Sequence, residues 1–196
     1  ICMFIEETRE VIRNCRFCLM CRHACTTARF TKNESDTPRA KALNLWTVLE
    51  GMRSFEASDA EVFFRCADCH RCKQHCISEY DVPAMVEAAR RDLIEVGLIP
   101  NEVRKLRQDI LETGNPFGVK TAIREASSAC ETLVFPGCEL SCQGGEVMDR
   151  AAHLMTHLGR KFEVLWDGCC GAPLRSLGFL EDARLVAERL ASRIRE

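Results

Sequence analysis

Residues 15–25 read Cys-Arg-Phe-Cys-Leu-Met-Cys-Arg-His-Ala-Cys, so that four cysteines follow one another with gaps of two, two and three residues. The same spacing returns in a second run, at Cys66, Cys69, Cys72 and Cys76. These are the gaps of cysteine runs that hold iron-sulfur clusters in two-cluster ferredoxins. The sequence therefore predicts two [4Fe-4S] clusters.

The spacing also predicts which cysteines share a cluster. In two-cluster ferredoxins the last cysteine of each run binds the cluster of the other run. We therefore expect the first cluster to be bound by Cys15, Cys18, Cys21 and Cys76. The second cluster is expected to be bound by Cys66, Cys69, Cys72 and Cys25. Such crossed ligation places two clusters side by side, as sequential electron transfer requires.

Structural zinc is the main alternative for these cysteines, because four thiolates also bind zinc tetrahedrally. Zinc sites more often combine two separated cysteine pairs than four cysteines packed into one short run, so the pattern favours iron and sulfide. Basic residues crowd both runs and either offset the negative charge of the clusters, form a docking face for an acidic partner, or belong to an ordinary solvated surface. They are Arg13, Arg16, Arg22, His23, Arg65, His70, Arg71, Lys73 and His75.

Composition excludes several classes of protein. With 196 residues and 46% hydrophobic content, the chain can build a core without help from its 14 cysteines. Long helical patterns are not typical of secreted disulfide scaffolds, so we expect reduced thiols and a cytoplasmic location. A net charge of -2 argues against nucleic-acid binding. No apolar run reaches the about 18 residues of a membrane span, so any membrane association requires a partner.

The first part of the chain has the periodicity of helices. A capping box of Ser58 and Glu61 is expected to open the helix that precedes the second run. Pro38 suits a first helical turn, and Gly51 suits the end of that helix. Helices are predicted over residues 4–13, 38–50, 83–96 and 100–112. We therefore predict a mainly α chain whose first domain, residues 1–118, is an α-helical ferredoxin domain.

The pattern changes after the turn-rich residues 115–118. A short helical stretch near residues 122–128 is followed by an apolar run at 132–135, a helix at 145–158, a second apolar run at 162–166 and a helix at 178–195. This order predicts a parallel α/β domain over residues 119–196. Ligands of such units bind beyond the carboxyl ends of the strands, where Cys138 and the Cys169-Cys170 pair fall.

The first domain resembles the helical two-cluster ferredoxin domain of several iron-sulfur subunits: those of glycolate oxidase, of lactate-utilisation proteins, of anaerobic glycerol-3-phosphate dehydrogenase and of heterodisulfide reductase. The two cysteine runs, residues 34–40 leading into a helix, and residues 114–118 carry the resemblance. The chain departs from it where a proline usually follows each run, because Thr26 and Ile77 stand there instead.

The later cysteines look like the opening of the cysteine-rich CCG repeat of the same families, which binds a cluster or another metal. That resemblance implies a metal site at Cys138, Cys169 and Cys170, with Cys142 either assisting or buried as a structural thiol. The sequence supplies three of the five cysteines of the repeat and stops at Glu196. We expect either a piece of a longer protein with an incomplete CCG domain or a degenerate repeat without metal.

These features predict the electron-transfer subunit of an oxidoreductase complex rather than an enzyme acting alone. No Gly-x-Gly-x-x-Gly fingerprint occurs, so a flavin or nicotinamide is expected on a partner subunit. The acceptor is expected to be a quinone-linked protein or a thiol-disulfide couple. Two alternatives remain open: a catalytic subunit, resembling heterodisulfide reductase, that acts at a cluster of the CCG motif, and a structural zinc protein or redox sensor.

Overall fold

The computed structural model describes residues 3–119, 132–165 and 168–195. The prediction of a mainly α chain is confirmed, since helices dominate these ranges. Within them, no helix combines the length and apolar character that crossing a bilayer requires. The α-helices are α1 Arg9–Cys15, α2 Thr26–Thr31, α3 Pro38–Leu49, α4 Ala57–Phe64, α5 Arg71–Gln74, α6 Val82–Glu95, α7 Asn101–Thr113, α8 Gly137–Gln143, α9 Gly145–His157, α10 Ala172–Ser176 and α11 Leu180–Arg195. The strands are β1 Thr132–Val134 and β2 Phe162–Val164.

The chain divides into two compact units. The first comprises Ile1–Val103 and Ser176–Phe179, and the second comprises Arg104–Arg175 and Leu180–Glu196. The division proposed from sequence, at residue 118, stays a prediction. Both cysteine runs belong to the first unit.

The core of the first unit is built from α1, α3, α4 and α6, which pack on one another and on a short 3-10 helix at Phe4–Thr8. That 3-10 helix replaces the first half of the single helix expected over residues 4–13. The buried carboxylate of Asp92 accepts hydrogen bonds from the backbone N–H groups of Phe4 and Ile5, at 2.7 and 2.9 Å. These bonds hold the start of the chain against α6.

Helix α3 follows its sequence signals closely. The Thr37 hydroxyl caps it by accepting a hydrogen bond from the N–H of Ala40 at 3.2 Å, and Pro38 occupies its first turn. Gly51 follows the helix with a φ of 69°, which costs a glycine little. The cap, proline and glycine together explain why these bounds nearly match the predicted ones.

Helix α4 begins differently from the prediction. Its N-terminal residue is Ala57, and the side chain of Asp59, not Glu61, accepts the hydrogen bond from a capping residue, the N–H of Glu56 at 2.9 Å. The predicted pair of Ser58 and Glu61 is therefore wrong. Arg53 explains the shift, because its guanidinium binds both oxygens of the buried Asp59 at 2.6 and 2.8 Å.

Replacing Asp59 with Asn is expected to lower the free energy of unfolding by about 1.5 kcal/mol, because a charged hydrogen-bond acceptor of Arg53 is lost. Urea unfolding followed by circular dichroism measures the change. Glu61→Gln on the same helix removes an equal charge from a carboxylate whose side chain is 73% exposed, and we expect a change below about 0.5 kcal/mol. Equal effects of the two substitutions would contradict this assignment.

The second unit contains the short sheet. Strands β1 and β2 pair in parallel, with Thr132 opposite Phe162 and Val134 opposite Val164. Helices α8 and α9 connect them, so the strand-helix-strand order expected from sequence is present. The helix predicted near residues 122–128 and the end of the second apolar run, Trp166, lie outside the described residues.

Candidate metal centre

The first cysteine run is folded by the ends of short helices. Cys15 is the last residue of α1, and Cys25 directly precedes α2. The Sγ atom of Cys25 accepts a hydrogen bond from the N–H of Ala28 at 3.5 Å, as a capping side chain does. A residue predicted as a ligand therefore also starts a helix.

The second run is folded by two residues with unusual backbone angles. Asp68 and His70 flank Cys69 and have φ values of 49° and 57°. Asp and His tolerate this left-handed region better than most residues do. The chain therefore turns sharply on both sides of Cys69 before α5 begins.

The structure groups the eight cysteines into two crossed sets. One cavity, here the first cavity, has all four predicted ligands of the first cluster in its lining: Cys15, Cys18, Cys21 and Cys76. The other, here the second cavity, has all four predicted ligands of the second cluster in its lining: Cys25, Cys66, Cys69 and Cys72. Each cavity takes three cysteines from one run and the last cysteine of the other. The buried Val82 lines both cavities, so they are neighbours.

Burial makes the thiols of Cys15 and Cys72 poor acids in the absence of a metal. Burial, followed by the charges of neighbouring cysteines, raises the pKa of Cys15 to about 12 and that of Cys72 to about 12. The neighbours of Cys15 include Cys76 of the other run, and those of Cys72 include Cys21. Metal binding requires the thiolate form of cysteine. Water cannot stabilise the negative charge of a buried thiolate, so the positive charge of the metal stabilises it instead.

The residue after the first run contributes to the second cavity. The Thr26 hydroxyl lies 3.5 Å from the Sγ atom of Cys69. Burial raises the pKa of the Cys69 thiol, but the Thr26 hydroxyl, backbone N–H groups and Arg71 outweigh it and lower the pKa overall. Thr26, which stands where the resemblance leads us to expect a proline, is therefore a hydrogen-bonding side chain beside the second cavity.

A buried lysine lines the second cavity. Lys41 is 2% exposed, and its ammonium group donates to the backbone oxygen of Asp36. The Asp36 carboxylate is 4.0 Å from that ammonium group, and it accepts closer hydrogen bonds from Thr31 at 2.6 Å and Arg65 at 3.2 Å. Burial lowers the pKa of Lys41, while Cys66, Asp36 and Cys25 oppose that shift.

A buried arginine lies behind the same cavity. Arg90 is 2% exposed. It donates to the backbone oxygens of Phe63 at 3.0 Å and Cys66 at 2.6 Å, and also to that of Ser176. Its guanidinium therefore fixes the backbone at the start of the second cysteine run.

Most basic residues near the runs have ordinary surface partners. Ion pairs join Arg13 to Glu50 at 3.0 Å and Arg22 to Glu34 at 2.7 Å. Lys73 pairs with Asp81 in the same way. The rings of His23 and His75 meet edge to face, with centroids 5.4 Å apart. The paired cations are therefore explained by a solvated surface.

The second unit brings two of the three later candidates together. Cys138 follows β1, Cys169 follows β2, and the parallel pairing puts both at one edge of the sheet. Burial raises the pKa of Cys169 to about 11, and Cys138 adds to the shift through its charge and a side-chain hydrogen bond. Cys142 has Cys138 as a neighbour, whereas Cys170 is exposed.

The glycine after this cysteine pair has a steric reason. A Cβ atom on Gly171 would lie 2.4 Å from the backbone oxygen of Ala183 in α11, and the φ of Gly171 is 83°. No side chain fits there without moving the helix. Gly171 therefore lets the Cys169 loop pack directly on α11.

The donor sets of the first unit fit iron-sulfur clusters. Within the described ranges, no three side chains of His, Cys, Asp or Glu close around a single ion. One zinc ion needs every thiolate about 2.3 Å away, whereas each thiolate of a four-iron cluster binds a different iron. The two cavities, with four cysteines each in their linings, supply the number of thiolates that two such clusters take.

Sequence reasoning missed Thr26, Lys41 and Arg90. Lys41 and Arg90 did carry a signal, because each occupies a position of an otherwise apolar helical stripe. Lys41 shares its face with Leu45 and Val48, and Arg90 is followed by the buried Leu93. A cation at such a position indicates a buried charge with a specific partner.

Comparison with known proteins supports the same chemistry. Residues 14–81 match the family model described as 4Fe-4S dicluster domain, a range that contains both cysteine runs. The comparison with curated proteins found no match, and neither did the comparison with solved structures. The match supports an iron-sulfur protein and a role in electron transfer.

Proposed function

We propose that this chain is the iron-sulfur electron-transfer subunit of a multi-subunit oxidoreductase. It relays electrons between a flavin-bearing partner and an acceptor, either a quinone-linked protein or a thiol-disulfide couple. The observation that carries the proposal is the pair of neighbouring cavities, each lined by three cysteines of one run and the last of the other.

The residues of each cavity have defined roles in this proposal. Cys15, Cys18, Cys21 and Cys76 hold the cluster of the first cavity. Cys66, Cys69, Cys72 and Cys25 hold the cluster of the second. When bound, a [4Fe-4S] cluster accepts and releases single electrons at a potential set by its surroundings. The apolar residues Val82 and Val86 form a buried part of the lining of the second cavity.

Exposed apolar side chains support a protein partner. Phe17, Leu19 and Met20 lie within the first run and are 73%, 56% and 55% exposed, and Ile77, directly after the second run, is 77% exposed. Met20 also lines the first cavity. Large apolar side chains beside a redox site are typical of docking surfaces. We propose that the partner subunit covers them and exchanges electrons through the first cavity.

Metal analysis tests the proposal. Protein purified without oxygen is expected to contain about eight iron and eight sulfide per chain, as two [4Fe-4S] clusters require. Elemental analysis and a labile-sulfide assay measure both. A zinc-dominated preparation without sulfide would overturn the proposal in favour of a structural zinc protein.

A second candidate function is favoured by the pairing of Cys138 with Cys169. In this alternative the chain is catalytic at a further cluster of the CCG motif, where a disulfide would be reduced to two thiols with two protons from solvent and two electrons passed on, one at a time, from the flavin-bearing partner. Iron above about eight per chain that disappears in Cys169→Ala would support it. Cys130→Ala, at a cysteine that belongs neither to the two runs nor to the CCG motif, serves as the control. Equal iron in all three proteins would leave electron relay alone.

A further inference from the structure

The two cavities differ in the charges buried beside them. Lys41 lines the second cavity, and Arg90 binds the backbone of Cys66, one of its four cysteines. Both cations are 2% exposed. The first cavity, in contrast, has no lysine or arginine among its described lining residues, and His75 is the basic side chain found there. Arg16, next to Cys15, is only partly buried, and its guanidinium stacks on the rings of Phe17 and Trp46.

Among the described residues, no carboxylate forms an ion pair with Arg90, and Lys41 has one carboxylate only at the limit of ion-pair distance, that of Asp36 at 4.0 Å. The hydrogen bonds of Arg90 go to three backbone oxygens, and that of Lys41 goes to another. The carboxylate nearest to Lys41, that of Asp36, is engaged by Arg65 and Thr31. A buried charge that is not fully compensated is costly, so negative charge in the second cavity stabilises both side chains.

The acidic residues near the second cavity do not cancel this excess. The Asp36 carboxylate is shared between Lys41 at 4.0 Å and Arg65 at 3.2 Å. Asp68 is 31% exposed at its side chain and has His70 at 3.3 Å. Solvent screens a partly exposed carboxylate far more than it screens a buried guanidinium. The buried groups around the second cavity therefore carry a net positive charge.

We propose that Lys41 and Arg90 give the second cavity the higher reduction potential, so that an electron entering the chain comes to rest there. This inference rests on the proposed function. In the complex, the reduced flavin of the partner supplies the electron, which adds one negative charge to the four thiolates and their irons. A buried cation stabilises the added charge, because Coulomb energies are large where water is excluded. Electrons then run from the first cavity to the second.

A redox titration of the full chain, followed by electron paramagnetic resonance with dithionite as reductant, tests this proposal. The cluster of the second cavity is expected to be reduced first. In Lys41→Met and in Arg90→Met, the equilibrium constant for its reduction is expected to fall at least tenfold, a shift of 59 mV for one electron. For the cluster of the first cavity, the equilibrium constant for reduction is expected to change less than threefold. Cys18→Ser and Cys69→Ser assign the two signals, because these ligands belong to different cavities.

Matched variants separate charge from fold. Lys41→Arg and Arg90→Lys keep the positive charge. We expect each to leave the equilibrium constant for reduction of the second cluster within threefold of the value in the parent protein. Lys73→Met and Arg22→Met remove cations that lie beside cysteine ligands but whose side chains are 48% and 59% exposed. In these two variants we also expect the equilibrium constant for reduction to change less than threefold. If Arg90→Met fails to fold, Lys41→Met decides the question.

Two outcomes overturn the inference. One is that the cluster of the first cavity is reduced before the cluster of the second in the parent protein. The other concerns the equilibrium constant for reduction in Lys41→Met: at the cluster of the second cavity it stays within threefold of the parent value, or it changes by the same factor at both clusters. Both require two assembled clusters, so they differ from failure of the proposed function, in which the parent protein contains no iron or sulfide.

Discussion

Cys76→Ser is expected to remove the cluster of the first cavity and to leave the cluster of the second in place. Cys76 belongs to the second run, but it lines the first cavity with Cys15, Cys18 and Cys21. The first cluster loses one of its four thiolates, so iron is expected to fall from about eight to about four per chain. Iron analysis measures the loss, and electron paramagnetic resonance of the reduced protein identifies the lost cluster.

Three further variants make this test decisive. Cys18→Ser should copy the spectrum of Cys76→Ser, whereas Cys25→Ser should copy that of Cys69→Ser. Cys142→Ser, a cysteine outside both runs, should keep both signals. Loss of the second cluster in Cys76→Ser would refute crossed ligation and would assign each run to a cluster of its own.

Leu45→Ala is expected to lower the free energy of unfolding by about 2–5 kcal/mol, because it leaves a cavity where α3 packs in the core of the first unit. Leu45 is fully buried, at 0% exposure. It belongs to the same hydrophobic cluster as Ile12 of α1 and Met85 of α6. Urea unfolding of the cluster-loaded protein, carried out without oxygen, measures the change as a shift in midpoint.

Leu43→Ala provides the control on the same helix. Leu43 is 38% exposed, so the same change in volume is expected to cost below about 0.5 kcal/mol. Equal shifts in the two variants would show that α3 does not bury the face assigned to it. Iron content measured beforehand ensures that the two proteins carry equal clusters, since bound metal itself stabilises a fold.

Local signals predicted helices well where several of them agree. Around α3, Thr37, Pro38 and Gly51 all mark the ends, and the observed bounds follow. Around α4, Ser58 and Glu61 have the residue types of a capping box but do not form it. Asp59 accepts the capping hydrogen bond instead, and its carboxylate also binds Arg53 across a loop. A capping pattern is local, and a partner six residues away decides which acidic side chain is used.

For the candidate site, too, the sequence predicted one part and only the packing of the helices determined the other. Cysteine spacing predicts which sulfur atoms can belong to one cluster, and the structure places those sulfurs in two separate cavities. Spacing says nothing of charge beside the clusters. Lys41 comes from α3 and Arg90 from α6, so only the packing of those helices brings both cations to one cavity.

The run at residues 15–25 and its copy were enough by themselves to predict an iron-sulfur protein, because four cysteines with these gaps are typical ligands of [4Fe-4S] clusters. The tertiary structure alone decided that the two cavities are unequal. The electrostatic effect of a cation depends on its distance and on the exclusion of water, and both are set by residues far apart in the chain. The stretch from Cys15 to Cys25 therefore predicts the cofactor, whereas the proposal about where an electron rests depends on buried charges on other helices.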